Sequence, residues 1–338
     1  RCRVLEYGDG CKDANEHLMK YGKQSLIEYY KAAPEIKIPG YTYYCHEGDL
    51  VIENCTFRNC CFGQIGFHAP VICCGGCGNR VSHNDIRDSI APGIGFGGPD
   101  VVIEYNRIVN VTTDNGDSNA IGSSGTAAYG SVIRFNDVGG SPGFSHGIYV
   151  DDFGCGARIY GNVVRDFGQF GIFLGGGRDL DVRNNIIINS NDRPISYDQR
   201  AIDGVNGGWF TNSLKGASMW TNLYASPWKT EVWQAAYPQT ARLKDDFSNQ
   251  DDPDFAPNPS YSTVSGNLIV NATKNIGSIS EKANQFSDIS GNAIYKLTKL
   301  SGIFTSPETG DYTLKENSKI FEELPDFENL PISEMGRY

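Results

Sequence analysis

The chain has 338 residues, 40 of them glycine, with 39% hydrophobic content and a formal net charge of -11. That balance, without any Lys/Arg cluster, excludes a nucleic-acid backbone as partner. No run of about eighteen apolar residues exists to cross a membrane. The same charge disfavours strongly anionic polymers and leaves neutral or weakly charged sugars as the easier ligands.

Residues 1–50 carry no repeat. Within them Ala14–Ala33, preceded by Asp13 as a candidate N-cap, predicts a helix that caps the open end of a repeat region starting at residue 51. The opening at Arg1 lacks the charged, apolar and small-residue order of a signal peptide, so a mature form or a fragment is expected. Ten cysteines are present, six of them between Cys55 and Cys77. Cys73, Cys74 and Cys77, with His68 and His83 near, lack the second spaced couple of most zinc sites. Buried small hydrophobes, or disulfides of an oxidising compartment, are the expectation. The location expected is secreted, periplasmic or otherwise extracytoplasmic.

From residue 51 a phrase of the form apolar–x–x–Asn–x–apolar recurs. It stands at Val51–Phe57, Val81–Ile86, Ile103–Ile108, Ile133–Val138, Ile159–Val164, Val182–Ile187, Val264–Ile269 and Ile289–Ile294. Its asparagines, Asn54, Asn84, Asn106, Asn136, Asn162, Asn185, Asn267 and Asn292, are spaced 30, 22, 30, 26, 23, 82 and 25 residues apart. Six of the seven spacings suit one coil of a solenoid. Asparagine tolerates the left-handed region and bonds neighbouring backbone, so stacked copies form a ladder at a corner. In the first phrase Thr56 stands where an apolar residue is expected, with Phe57 next to it. Further strands are predicted at Gly93–Phe96, Asn119–Gly122, Gly147–Val150, Gly171–Leu174 and Pro194–Tyr197. No long amphipathic helical stretch lies between the phrases. The fold predicted for 51–338 is therefore all-β, a single right-handed parallel β-helix.

The 82-residue spacing places an insertion at 199–262 that holds all four tryptophans, Trp209, Trp220, Trp228 and Trp233, with Tyr224 and Tyr237. These rings either stack on sugars, Trp209 and Trp228 being the candidates, or form the insertion's own core. The tail 304–338 is expected to pack along the outside. Asn54, Asn110 and Asn271 match the glycosylation sequon; Asn54, read as a ladder residue, matches it by accident.

Strand alternation turns Ile148, Val150, Ile172, Leu174, Ile195 and Tyr197 inward and leaves Tyr149, Asp151, Phe173, Gly175, Ser196 and Asp198 outward. Stacking then sets Asp151, Gly175 and Asp198 in one outward column, two carboxylates flanking a gap. Glycosidic cleavage requires such a pair, one to protonate the leaving oxygen and one to activate water or attack carbon. Asp152, His146, Arg178, Arg200 and, one coil earlier, Asp117 surround the column. An Arg beside one carboxylate lowers its pKa and a second carboxylate raises one of the pair, separating acid from base. The competing readings are a surface ion-pair ladder or a calcium site of Asp117, Asp151 and Asp152; no other cofactor is expected.

HGIYVDD (146–152), LGGGRD (174–179), RNNIIIN (183–189), the pair Asp198-x-Arg200, YASPWKTEVWQAAYP (224–238) and the closing LPISEMGRY together resemble right-handed β-helix glycoside hydrolases of family 141, the fucosidase/xylanase group. The similarity runs from about Asn54 to Tyr338. It implies a hydrolase of plant or algal wall polysaccharide, with Asp151, Asp152 and Asp198 as catalytic acids and Arg200, His146 and Arg178 as supporting residues. The rivals are a polysaccharide lyase on the same fold, with Tyr149, His146 or Arg178 as base, and a non-catalytic carbohydrate-binding solenoid. A carbohydrate is the partner in each case; the sequence carries no sign of oligomeric state.

Overall fold

The computed structural model describes residues 49–338 except 61–68, 114–115, 125–127, 142–144, 191–192, 208–225 and 274, and in addition Lys20 and Ser25. The helix predicted at Ala14–Ala33 thus lies outside the described residues, apart from Lys20 and Ser25, which are both helical.

Short strands stack into three parallel sheets of seven, eight and six strands, each strand pairing with its equivalent one coil away. The first sheet takes the residues before each Asn corner, for example Arg80–Ser82, Val102–Glu104 and Val132–Arg134. The second takes those after it, such as Asp85–Arg87, Arg107–Val109 and Asp137–Ser141. The third comprises Ile72–Gly75, Ile94–Gly97, Asn119–Ser124, His146–Asp151, Phe170–Leu174 and Arg193–Tyr197. In a three-residue strand only the middle side chain points inward. This explains the phrase: Val81, Ile103, Ile133, Ile159 and Val182 before the corner, and Ile86, Ile108, Val138, Val164 and Ile187 after it, are all 0% exposed. Each such burial contributes about 1.5–3 kcal/mol.

At the corner the ladder asparagines are linked side chain to side chain, and those from Asn84 to Asn267 are buried. Asn84 donates through Nδ2 to Asn106 Oδ1 at 2.9 Å, Asn106 to Asn136 at 3.0 Å, Asn136 to Asn162 at 2.9 Å and Asn162 to Asn185 at 3.0 Å. Asn185 continues to Asn267 at 2.9 Å and Asn267 to Asn292 at 2.8 Å. The insertion therefore interrupts the sequence but not the stack, and Ile187 pairs directly with Ile269. Asn54 is a correction. Ile52 pairs with Val81, so Cys55, whose N–H donates to Asn84 Oδ1 at 3.0 Å, holds the ladder position. Asn54 instead faces outward and accepts from Arg337.

The tail packs along the outside of the second sheet. Phe304, Tyr312, Leu314, Ile320, Leu324, Phe327, Leu330, Ile332 and Met335 bury against Val163, Ile186, Ile188, Leu268 and Val270. It then returns to the first coils: Gly336 N–H donates to Tyr105 O at 2.7 Å, Arg337 Nη1 to Thr56 Oγ1 at 2.9 Å, and Tyr338 meets His83 edge-on. Cys74 and Cys155 are buried as small hydrophobes, and they carry free thiols, as do exposed Cys55 and Cys73.

Candidate functional site

The candidate site lies on the outer face of the third sheet, where His146–Asp151, Phe170–Leu174 and Arg193–Tyr197 run side by side. Pairing aligns His146 with Phe170 and Arg193, and Tyr149 with Phe173 and Ser196. One residue beyond the aligned Val150, Leu174 and Tyr197 stand Asp151, Gly175 and Asp198, held in register by Gly175 N–H to Val150 O at 2.8 Å and Asp198 N–H to Leu174 O at 3.1 Å. The outward column is thus present. The gap at Gly175 is occupied by the carboxylate itself, since a Cβ there would lie 2.7 Å from Asp151 Oδ1 and 2.9 Å from Asp152 N.

Arg200 organises this column. It is the first residue of the helix Arg200–Gly207. Asp198 starts that helix with an Asx turn, accepting from Arg200 N–H at 3.1 Å through Oδ1 and from Nε at 2.8 Å through Oδ2. Arg200 Nη1 donates to Asp151 Oδ1 and, at 3.1 Å, to Asp152 Oδ1. The guanidinium sits 4.8 Å over the Phe173 ring, which stacks on Tyr149 at 4.7 Å. Only glycine fits at 176, with φ 73, because a Cβ there would come within 2.9 Å of the Arg200 stem.

Three carboxylates share one cation, so full ionisation leaves the cluster net negative. Burial, with repulsion from Asp152 and despite the attraction of Arg200, pushes the Asp151 carboxyl up to about 7. Burial raises Asp198 as well. Desolvation works against the charge of Arg200, but Asp151 and Asp198 together outweigh it and keep Arg200 protonated. His146, 2% exposed, is pulled down to about 4 by burial, although its Nε2 lies 3.8 Å from Asp117. It is a neutral imidazole at pH 7. Burial raises Tyr149 far above the ordinary phenol range, with Asp151 adding to the effect.

A cleft of about 650 Å³ opens over this face. It brings together Asp151, Asp152, Asp198, Arg200, Tyr149, His146 and Asp117 from the sequence-based candidates. The remaining candidates stand elsewhere. Arg178 is a correction: it is 0% exposed, and it donates to Phe255 O at 3.1 Å and Asp179 Oδ2 at 3.3 Å beneath the insertion. The glycines before it let the chain pass so close to Gly154 O that a Cβ at Gly177 would lie 1.7 Å away. Trp228 is a second correction, 2% exposed in the apolar cluster that the insertion forms with Tyr129, Phe153 and Cys155 of the coils, away from the cleft. Trp209 lies outside the described residues. Arg200 supplies the countercharge to Asp151 and Asp152, while Asp117 stands beside His146, its Oδ1 3.8 Å from Nε2. Among the described residues no three His, Cys, Asp or Glu side chains converge on a metal position, near Cys73–Cys77 or elsewhere.

The cleft also contains Phe170, Phe173, Gln169, Arg193 and Ser278, which the sequence candidates left out. The outward alternation of Phe173 was the available signal; Gln169 and Ser278 come from connections that no strand pattern marks.

The family model described as right handed beta helix region matches residues 41–207. With the parallel coils, this makes the chain a right-handed parallel β-helix protein. The fold is common to polysaccharide-active enzymes. No curated protein and no solved structure matches the chain.

Proposed function

We propose that this protein is a glycoside hydrolase acting on a neutral plant- or algal-wall oligosaccharide, the activity that the resemblance to family 141 also implies. The observation that carries the proposal is Arg200 bridging Asp151, Asp152 and Asp198 at the floor of an aromatic-walled cleft. One guanidinium shared by Asp151 and Asp198 limits their carboxylates to about 8 Å apart, below the upper separation of about 9.5 Å that glycosidic cleavage uses. Asp151, held up to about 7, retains a proton near neutral pH and gives it to the glycosidic oxygen. Asp198, gripped at two atoms by Arg200, is the carboxylate that activates water or attacks the sugar carbon. Asp152 holds Asp151 up by like charge.

The charge of the cleft favours this reading over β-elimination. Among the described residues, Asp117, Asp151, Asp152 and Asp198 line it against Arg193 and Arg200, a balance that repels a uronate. The test is incubation with fucosylated and xylan-type oligosaccharides, recording reducing ends and the absorbance of unsaturated sugar together. Reducing ends without absorbance are expected; absorbance would sink hydrolysis in favour of a lyase.

A further inference from the structure

The turn that carries Asp152 has a costly backbone. Gly154 N–H donates to Asp151 O at 3.0 Å, closing a four-residue turn in which Asp152 has φ 43 and Phe153 has φ 68. Two successive left-handed residues are the φ pattern of a type I′ turn, whose second central position belongs to glycine. A bulky residue held there is strained and persists only where the surroundings over-determine it.

Those surroundings are the insertion together with Tyr129 and Cys155 of the coils. Phe153 is 4% exposed and shares one apolar cluster with Trp228, Trp233, Tyr237, Tyr129 and Ala201. Phe153 comes directly after Asp152 in the chain, and Ala201 directly after Arg200. The insertion's core therefore grips the immediate neighbours of both ends of the Asp152–Arg200 ion pair. The turn in addition presents Asp152 N–H to Asp151 Oδ1 at 2.7 Å and Phe153 N–H to Gly175 O at 2.8 Å, so its conformation also sets the Asp151 carboxylate.

We propose that the Trp-rich insertion is a positioning device for the carboxylate cluster, acting through Phe153 and Ala201. Phe153 is a positioning residue, and the aromatic rings Trp228 and Trp233 serve the cleft from behind it without touching substrate. The kinetic part of the test rests on the hydrolase reading above; the structural part does not.

The test compares Phe153→Gly with Phe153→Leu by amide hydrogen exchange at Asp152 and Phe153 and by hydrolysis kinetics. Glycine suits the turn but also frees its backbone, so the part owed to the lost ring is read against Trp228→Leu, which trims the cluster and leaves the turn's own residues unchanged. In Phe153→Gly, exchange at both amides accelerates about tenfold or more, kcat falls about tenfold and KM stays within about twofold. Phe153→Leu, which keeps an apolar plug, restores most of both. Unchanged exchange in Phe153→Gly, or equal loosening in the two variants, overturns the proposal. Should Phe153→Gly not fold, Trp228→Leu, trimmed from the insertion side, decides by the same exchange readout: faster exchange at the two amides is expected, and unchanged protection overturns the proposal. Absence of hydrolysis in the wild-type protein overturns the function reading alone, because the exchange comparison still stands.

Discussion

Two groups of carboxylates on the same solenoid are built in opposite proportions. On the outer faces of the first two sheets each carboxylate has two cations: Glu104 meets Arg80 at 2.7 Å and Arg134 at 2.6 Å, and Asp137 meets Arg107 at 3.1 Å and Arg165 at 3.0 Å. In the cleft the ratio is reversed, with Asp151, Asp152 and Asp198 around Arg200. An excess of cation ties neighbouring coils together through the carboxylate. An excess of carboxylate in a half-buried place holds a proton that chemistry can use. The sign of the surplus, more than the presence of ion pairs, separates the scaffold from the proposed site.

The largest expected effect tests the second half of that contrast. Asp151→Asn and Asp198→Asn each lower hydrolysis by at least about a hundredfold, the scale of acid–base loss, with the fold intact by circular dichroism. Activity retained in both removes the cleft from consideration. Asp137→Asn tests the first half: it leaves Arg107 and Arg165 short of a counter-ion and lowers stability by about 2 kcal/mol in urea titration, the modest end for a broken buried pair because Arg107 is partly exposed. Hydrolysis stays at the wild-type rate; a drop in kcat would erase the distinction. Asn136→Ala removes donors to Ile103 O, Arg134 O and Asn162 Oδ1 and costs about 1–3 kcal/mol by the same titration, again without kinetic effect.

The smallest effect is a pH dependence. A carboxyl raised from 3.8 to about 7 in the folded state contributes most stability when protonated, and that contribution is lost as pH rises through about 7. The stability of Asp151→Asn relative to wild type therefore improves between pH 4 and pH 8, by on the order of 1 kcal/mol once the charge is shared with Asp152 and Asp198. A difference that is flat with pH, tracked by thermal melts, would show that Asp151 is ionised throughout.

The coils were legible because each phrase states its own geometry: an inward residue, an Asn at the bend, a second inward residue. The one error, Asn54, was marked by Thr56 at an inward position, the sign of a one-residue shift that Cys55 and Phe57 resolve. The outward column was legible for the same reason, since alternation around buried Ile148, Val150, Ile172 and Leu174 leaves Asp151 and Gly175 no other face. Arg178 was not, because burial of a guanidinium depends on a long-range carbonyl, Phe255 O, 77 residues away. Nor was the left-handed pair Asp152–Phe153, since no local rule places phenylalanine where glycine is favoured. Both depend on how the insertion folds back, which periodicity cannot encode.

The tail changes how such a stack comes apart. In a simple solenoid each coil answers only to its two neighbours, so the end coil frays at little cost to the rest. Here the strap buried against the late coils ends on Asn54, Thr56, His83 and Tyr105 of the early ones. Peeling either end must first break a circuit that joins both, which turns a row of separable layers into one cooperative unit around the cleft.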